Sequence, residues 1–275
     1  MITADEQLAE MAAQALAEVR RQKPLVHNIT NWVVTAFTAN ATLAVGASPV
    51  MAHAHEEAAE FARAAGAVVL NIGTLTPYTV QAMSLAGRAA NELGVPVVLD
   101  PVGYGATELR TSATERLLGE LRVHILRGNA AEMAGIGGRR AVIQGVDAVA
   151  AAPEAETAVA VARRWNLVAA VTAAVDSVSD GRRLLQVANG HHLLTRVTGT
   201  GCTASALVGA FAAVEPDGVL AAGAALVCLG VAAEQAGERA SGPGTFAAHL
   251  LDTLHNLDET AVRRHARVAW AEPPC

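Results

Sequence analysis

Five short β-like runs punctuate this chain: LVHNIT (25–30), AVVLNIG (67–73), VPVVLD (95–100), VHILRGN (123–129) and LVAAVTA (167–173). Several are continuously apolar rather than alternating. A strand with one wet face alternates, whereas a strand buried on both faces does not, so the runs predict a parallel sheet covered by helices on each side. Helical patterns fill the intervals, beginning with residues 5–21, where Leu8, Met11, Ala12 and Leu16 recur at helical spacing. After Ala173 the rhythm changes, and DSVSDGRRLLQVANG reads as a hairpin turning at Asp180-Gly181, an antiparallel addition on the sheet edge. From Gly199 the pattern is helical almost to the end, broken at SGPGTF (241–246), and the tail AEPPC is expected to fray. No repeat and no Pro-, Gly- or Ser-rich linker divides the chain. The expectation is therefore one α/β domain over residues 1–275, with a mostly parallel central sheet flanked by helices.

Composition narrows the function. Hydrophobic residues make up 52% and aromatics only 3%, so a large core must be built from Ala, Val and Leu. A formal charge of −6 supplies no basic face for nucleic acid or anionic lipid. Cys202, Cys228 and Cys275 form no C-x-x-C, which argues against a zinc site or a disulfide framework. The acidic, polar start MITADEQLAE does not read as a signal peptide, and the apolar run Val219–Ala233 reads as too short for a membrane span. The expectation is a cytoplasmic protein with small-molecule partners, without nucleic acid or membrane.

Polar punctuation falls at the C-terminal ends of the runs: HNITN, NIGT, DPVGYG, RGNAAE and VTAAVD. In an open parallel sheet these ends converge on one rim, where ligands bind. The single lysine, Lys23, precedes a proline, which excludes a Walker A loop; any protein cation at a phosphate is then arginine. GTGCTA (199–204) fits G-x-G-x-x-A only weakly, because a hairpin precedes it and no acidic strand end follows. The glycines could serve close helix packing or, slightly favoured, expose N–H groups to an anion at a helix start. In RGNAAE, Asn129 and Glu132 have the spacing of a capping box, and capping or a magnesium role are equally supported. Asp100 reads as a turn former unless Glu132 keeps it company. His53, His55, His191 and His192 read as solvated surface, and His27 as a satisfied loop histidine. Met51, after GASPV, reads as the wall of a pocket.

Taken together, PLVHNITNWVVTAFTAN, GASPVM, NIGTL, VVLDPVGYGAT, RGNAAEM, VSDG, VTGTGC and GPGTF, in that order from Pro24 to Leu251, resemble the hydroxyethylthiazole kinase family of the ribokinase-like group. The resemblance implies a ribokinase-like fold and transfer of the ATP γ-phosphate to the hydroxyl of 5-(2-hydroxyethyl)-4-methylthiazole. It also implies Mg2+ and a homotrimer with active sites between subunits. Carried over by motif, Met51 and Gly199 would contact the thiazole, with Asn28 nearby from the first loop. Arg127 and Thr172 would contact ATP, and Asp100 and Glu132 would organise magnesium. One departure is Ala173, where the family usually has glycine; alanine fits there if φ is negative. Cys202 occupies the position at which many ribokinase-like enzymes carry an aspartate base. A helix N-terminus would lower its pKa, and a dissociative transition state would make a strong base dispensable. The competing readings are a nucleotide-linked oxidoreductase, which the missing acidic strand end opposes, and a non-catalytic binding protein. Retention of Asp100, Arg127, Glu132 and the glycine turn together opposes the latter.

Overall fold

The computed structural model describes residues 3–138, 143–144, 147–148 and 153–274. Helix α1 (Ala4–Gln22) leads into β1 (Leu25–Ile29), α2 (Thr35–Val45), β2 (Ser48–Val50), α3 (His55–Ala64), β3 (Ala67–Asn71), α4 (Pro77–Leu93) and β4 (Val97–Asp100). There follow α5 (Glu108–Glu120), β5 (Ile125–Asn129), α6 (Ala130–Ile136), the two-residue strands β6 (Ile143–Gln144) and β7 (Asp147–Ala148), α7 (Glu154–Trp165) and β8 (Val168–Thr172). The last third comprises β9 (Asp176–Ser179), β10 (Leu184–Val187), a 3-10 turn (His192–Arg196), α8 (Thr200–Ala212), α9 (Gly218–Arg239), α10 (Pro243–Asn256), α11 (Glu259–His265) and β11 (Val268–Ala271).

Nine strands form one sheet in the order β11-β10-β9-β8-β5-β4-β3-β1-β2. The six strands from β8 to β2 are mutually parallel, and β9, β10 and β11 add antiparallel. All five runs singled out above are strands. Their side chains divide between two cores, as two-sided burial requires. Val26, Val69, Val98, Ile125 and Ala170 pack with α1, α8 and α9, whereas Val68, Leu70, Leu99, Leu126 and Val171 pack with α4 and α7. The scarcity of aromatics shows in the first core, where α9 buries Ala221, Ala222, Ala225, Ala232 and Ala233, and small side chains let the helix approach closely.

Three expectations need correction. Helix does not run to the end: β11 is a strand, and it pairs along β10, so the 176–187 hairpin is not the sheet edge. The other edge is β2, a three-residue strand that contains a proline and leaves little periodic signal. The apolar helix α9 extends over 22 residues, long enough by length and composition to cross a membrane, yet most of it lies inside the protein core.

Candidate active site

Strand register brings the polar strand ends together. Asn71 ends β3 beside Asp100, which ends β4, and Asn129 ends β5 beside Thr172, which ends β8. Helix α8 packs over the α1 side of the sheet and begins at this rim. Its N-cap, Gly199, has φ +96°, and a Cβ there would lie 2.5 Å from Val34 Cγ1, so the turn requires glycine. No side chain caps α8, and its first-turn N–H groups lack an internal acceptor, which favours an anion. Gly201 serves close approach: a Cβ there would meet Arg127 Nη1 at 3.0 Å.

A chain of hydrogen bonds runs through the rim. Asn31 Nδ2 donates to Asn71 Oδ1 at 2.9 Å and to Cys202 Sγ at 3.3 Å. Asn71 Nδ2 in turn donates to Asp100 Oδ2 at 2.8 Å, as does Ser205 Oγ from the second turn of α8. The guanidinium of Arg127 lies 3.8 Å from Asp100 Oδ2 and donates to Thr172 Oγ1, while its buried Nε has no partner among the described residues. Glu132 closes the predicted capping box: its Oε2 accepts from Asn129 N–H at 2.9 Å, and Asn129 Oδ1 accepts from Glu132 N–H at 2.9 Å. Its Oε1 also accepts from Gly103 N–H at 2.7 Å, tying the loop after β4 to the start of α6. Capping is thus observed, and the carboxylate still borders Asp100.

Electrostatics follow from burial. Asp100 is pushed up by desolvation, against the pull of Arg127, Ser205 and Asn71. Burial also raises Glu132, and the Asp100 charge raises it further. Cys202 departs from expectation: burial and then the Asp100 charge raise its thiol to about 11, outweighing any help from the helix terminus. At neutral pH it is a neutral thiol.

The structure thus gathers Asp100, Arg127, Glu132, Thr172, Gly199 and Cys202. Asn28 and Met51 stand apart from this cluster. Asn28 lies within β1 rather than in the loop, fully buried, with Nδ2 donating to Val26 O and Oδ1 unpartnered. Met51 directly follows β2, and His53 links its carbonyl to Thr30 at the rim. His27 also lies within a strand, its Nε2 on the carbonyl of Ala52 at 2.8 Å and its Nδ1 without a partner. His53 and His191 are half-buried and engaged by backbone, not solvated. Ala173 has no positive φ, so it is unstrained where glycine is usual. Its N–H donates to Asp176 Oδ1 at 2.9 Å, and burial raises that carboxyl to about 6, partly offset by Arg127.

Asn31, Asn71, Ser205 and Asp176 escaped the sequence reading. The loops HNITN, NIGT and VTAAVD carried a signal for three of them, because short polar side chains after apolar runs mark the rim. Ser205, inside an apolar helix, carried none.

The model of the hydroxyethylthiazole kinase family matches residues 16–260. The chain is 55% identical over 260 residues to the hydroxyethylthiazole kinase of Moorella thermoacetica, spanning 94% of this chain and 97% of that one. It superposes on the structure of the hydroxyethylthiazole kinase protein from Pyrococcus horikoshii OT3 with a TM-score of 0.86 at 48% identity, covering 95% and 99% of the two chains. Pyridoxal kinase from Staphylococcus aureus in complex with pyridoxal shares the fold, with a TM-score of 0.59 at 12% identity over 90% of this chain and 98% of that one.

Proposed function

The chain belongs to the hydroxyethylthiazole kinase family, and from that premise we propose that it transfers the γ-phosphoryl group of ATP to the hydroxyl of 5-(2-hydroxyethyl)-4-methylthiazole. The observation that carries the reading is the convergence of Arg127, Asp100 and the uncapped start of α8 on one rim. Phosphoryl transfer asks a protein mainly for positioning and charge neutralisation. The N–H groups of α8 face the migrating phosphoryl, and Arg127 with Thr172 holds the nucleotide phosphates. Gly199 and Met51 take the heterocycle's side, while Asn28, fully buried within β1, supports that side from behind.

Two buried carboxylates with raised affinity for protons fit a divalent cation, whose charge would offset their mutual repulsion. No hydrogen bond among the described residues reaches Asp100 Oδ1, so it is free to serve as a ligand. Asp100 and Glu132 are thus the residues that would hold Mg2+, which would supply charge neutralisation for the phosphates. Cys202 borders the approach of the alcohol as a neutral contact. In this reading it assists without being indispensable, because the alcohol proton leaves late, once bond cleavage to the leaving phosphate is advanced.

Residues 1–275 act as one domain in this reading, within a cytoplasmic homotrimer whose sites lie between chains. The exposed apolar side chains of Val33 and Leu43, beside the β2 edge, support that assembly. Incubating the protein with Mg2+, ATP and the thiazole alcohol, and weighing the product by mass spectrometry, tests the reaction; absence of thiazole phosphate refutes it.

A further inference from the structure

Between the loop after β1 and the segment after β2 sits a single imidazole. Nδ1 of His53 lies 2.9 Å from the carbonyl of Met51. Its Nε2 lies 2.9 Å from the carbonyl of Thr30 and 3.1 Å from the Thr30 N–H. Nδ1 faces Met51 and Nε2 faces both backbone groups of Thr30, the donor at each contact depending on the tautomer, so one side chain bridges two backbone segments. The ring also carries the indole of Trp32, stacked with centroids 4.8 Å apart and planes at 27°. The backbone N–H of Trp32 donates to Thr74 Oγ1 at 3.1 Å, which holds the loop rather than the ring.

Both segments belong to the reaction's surroundings. The 30–34 loop touches Cys202 through Asn31 and closes on Gly199 through Val34. The Met51 segment runs beside β1. Trp32 is nonetheless 62% exposed, so one large aromatic surface, backed by His53, stands beside the loop that reaches Cys202 without being part of the core. An exposed indole suits a flat, uncharged, sulfur-containing heteroaromatic ligand, which gains from stacking and from sulfur–ring contact.

We propose that His53 is a positioning residue for the alcohol substrate: it sets the gap between Met51 and Thr30 and presents Trp32 as an aromatic wall to the heterocycle. The proposal rests on the kinase reading above for the identity of the substrate. Removing the ring widens the gap on the alcohol's side and leaves the Arg127–Thr172 side untouched, so the two substrates should respond differently.

The test is steady-state kinetics of His53→Ala and His53→Gln, paired with Trp32 emission taken as the difference between each protein and its Trp32→Phe counterpart. His53→Ala should raise KM for the alcohol about tenfold or more, by analogy with the loss of a stacked aromatic contact and its hydrogen bonds, with KM for ATP nearly unchanged. His53→Gln, whose amide can still donate to Met51, should recover part of that loss. The Trp32 emission should respond to the alcohol without ATP in the parent, and shift to the red in His53→Ala as the indole loses its partner. Equal changes in both KM values, no change in either, or a Trp32 signal indifferent to the alcohol and to the substitution would overturn the proposal. If His53→Ala does not fold, the His53→Gln comparison decides by the same criteria. A parent that makes no thiazole phosphate, while its Trp32 emission still depends on His53 and on the alcohol, sinks the kinase reading alone.

Discussion

The thiol of Cys202 stays protonated at neutral pH, so it brings no further negative charge to Asp100. Burial raises the thiol first and the Asp100 charge raises it further, to about 11. Cys202→Ala should therefore cost no more than the low end of the ~10²–10⁴-fold range of general-base catalysis. Cys202→Asp, which introduces a base held by the Asn31 amide, should be at least as active as the parent. The measurement is kcat at saturating ATP and alcohol; abolition by alanine with no rescue by aspartate would mean the thiol reacts covalently. Asp176 shows the same economy in its titration. Its folded pKa, about 6, lies above the ordinary 3.8, so its contribution to stability is full below 3.8 and lost as pH rises through about 6. Asp176→Asn keeps an acceptor for the Ala173 N–H and removes the buried charge. At neutral pH it should gain on the order of 3 kcal/mol of stability over the parent, with the gain vanishing toward pH ~4. Thermal melts of both proteins across that range decide it.

At the scale of elements, the site depends on where strands stop and helices start. The β5–α6 junction is held by a reciprocal capping box, and Glu132 serves it while anchoring the loop after β4. Glu132→Gln retains one oxygen for one of its two backbone donors and turns an amide N–H toward the other. An unpaired buried donor costs about 1–3 kcal/mol, offset in part by relief of the repulsion with Asp100. The melting temperature should therefore fall by a few degrees at most, while the Mg2+ concentration for half-maximal rate rises severalfold. A collapse in melting with unchanged Mg2+ dependence would assign Glu132 to the junction alone. The α8 start makes the complementary case. Its glycines remove side chains where Val34 and Arg127 must come close, leaving backbone N–H groups as the offered chemistry.

For the whole molecule, the sheet's two edges are managed differently. One ends in β11, where Arg183 lies 5.6 Å from the centre of the Trp270 ring. The other ends in the short, proline-containing β2, with Val33 69% and Leu43 56% exposed nearby. Exposed apolar side chains near a sheet edge favour an assembly that covers them. Sedimentation equilibrium should give a trimer, and Leu43→Glu should dissociate it with loss of activity. A fully active monomer at assay concentration would remove the shared-site reading.

The sequence by itself determined the layers. Uninterrupted apolar runs, a hairpin turn at Asp180-Gly181 and a capping box at Asn129–Glu132 are local signals, readable because their energetics act within a few residues. It also restricted any side-chain cation offered to a phosphate largely to arginine, since the chain has one lysine, which precedes a proline. Tertiary structure decided the rest. Strand order placed Asn71 beside Asp100 and Thr172 beside Asn129, and no spacing in the chain encodes that neighbourhood. β11 was decided by pairing with β10, because four residues have too little pattern to declare themselves. The state of Cys202 was decided by burial under the 30–34 loop and by a charge from another strand. Desolvation and Coulomb energy depend on what surrounds a group in space, and that is settled only when distant segments pack.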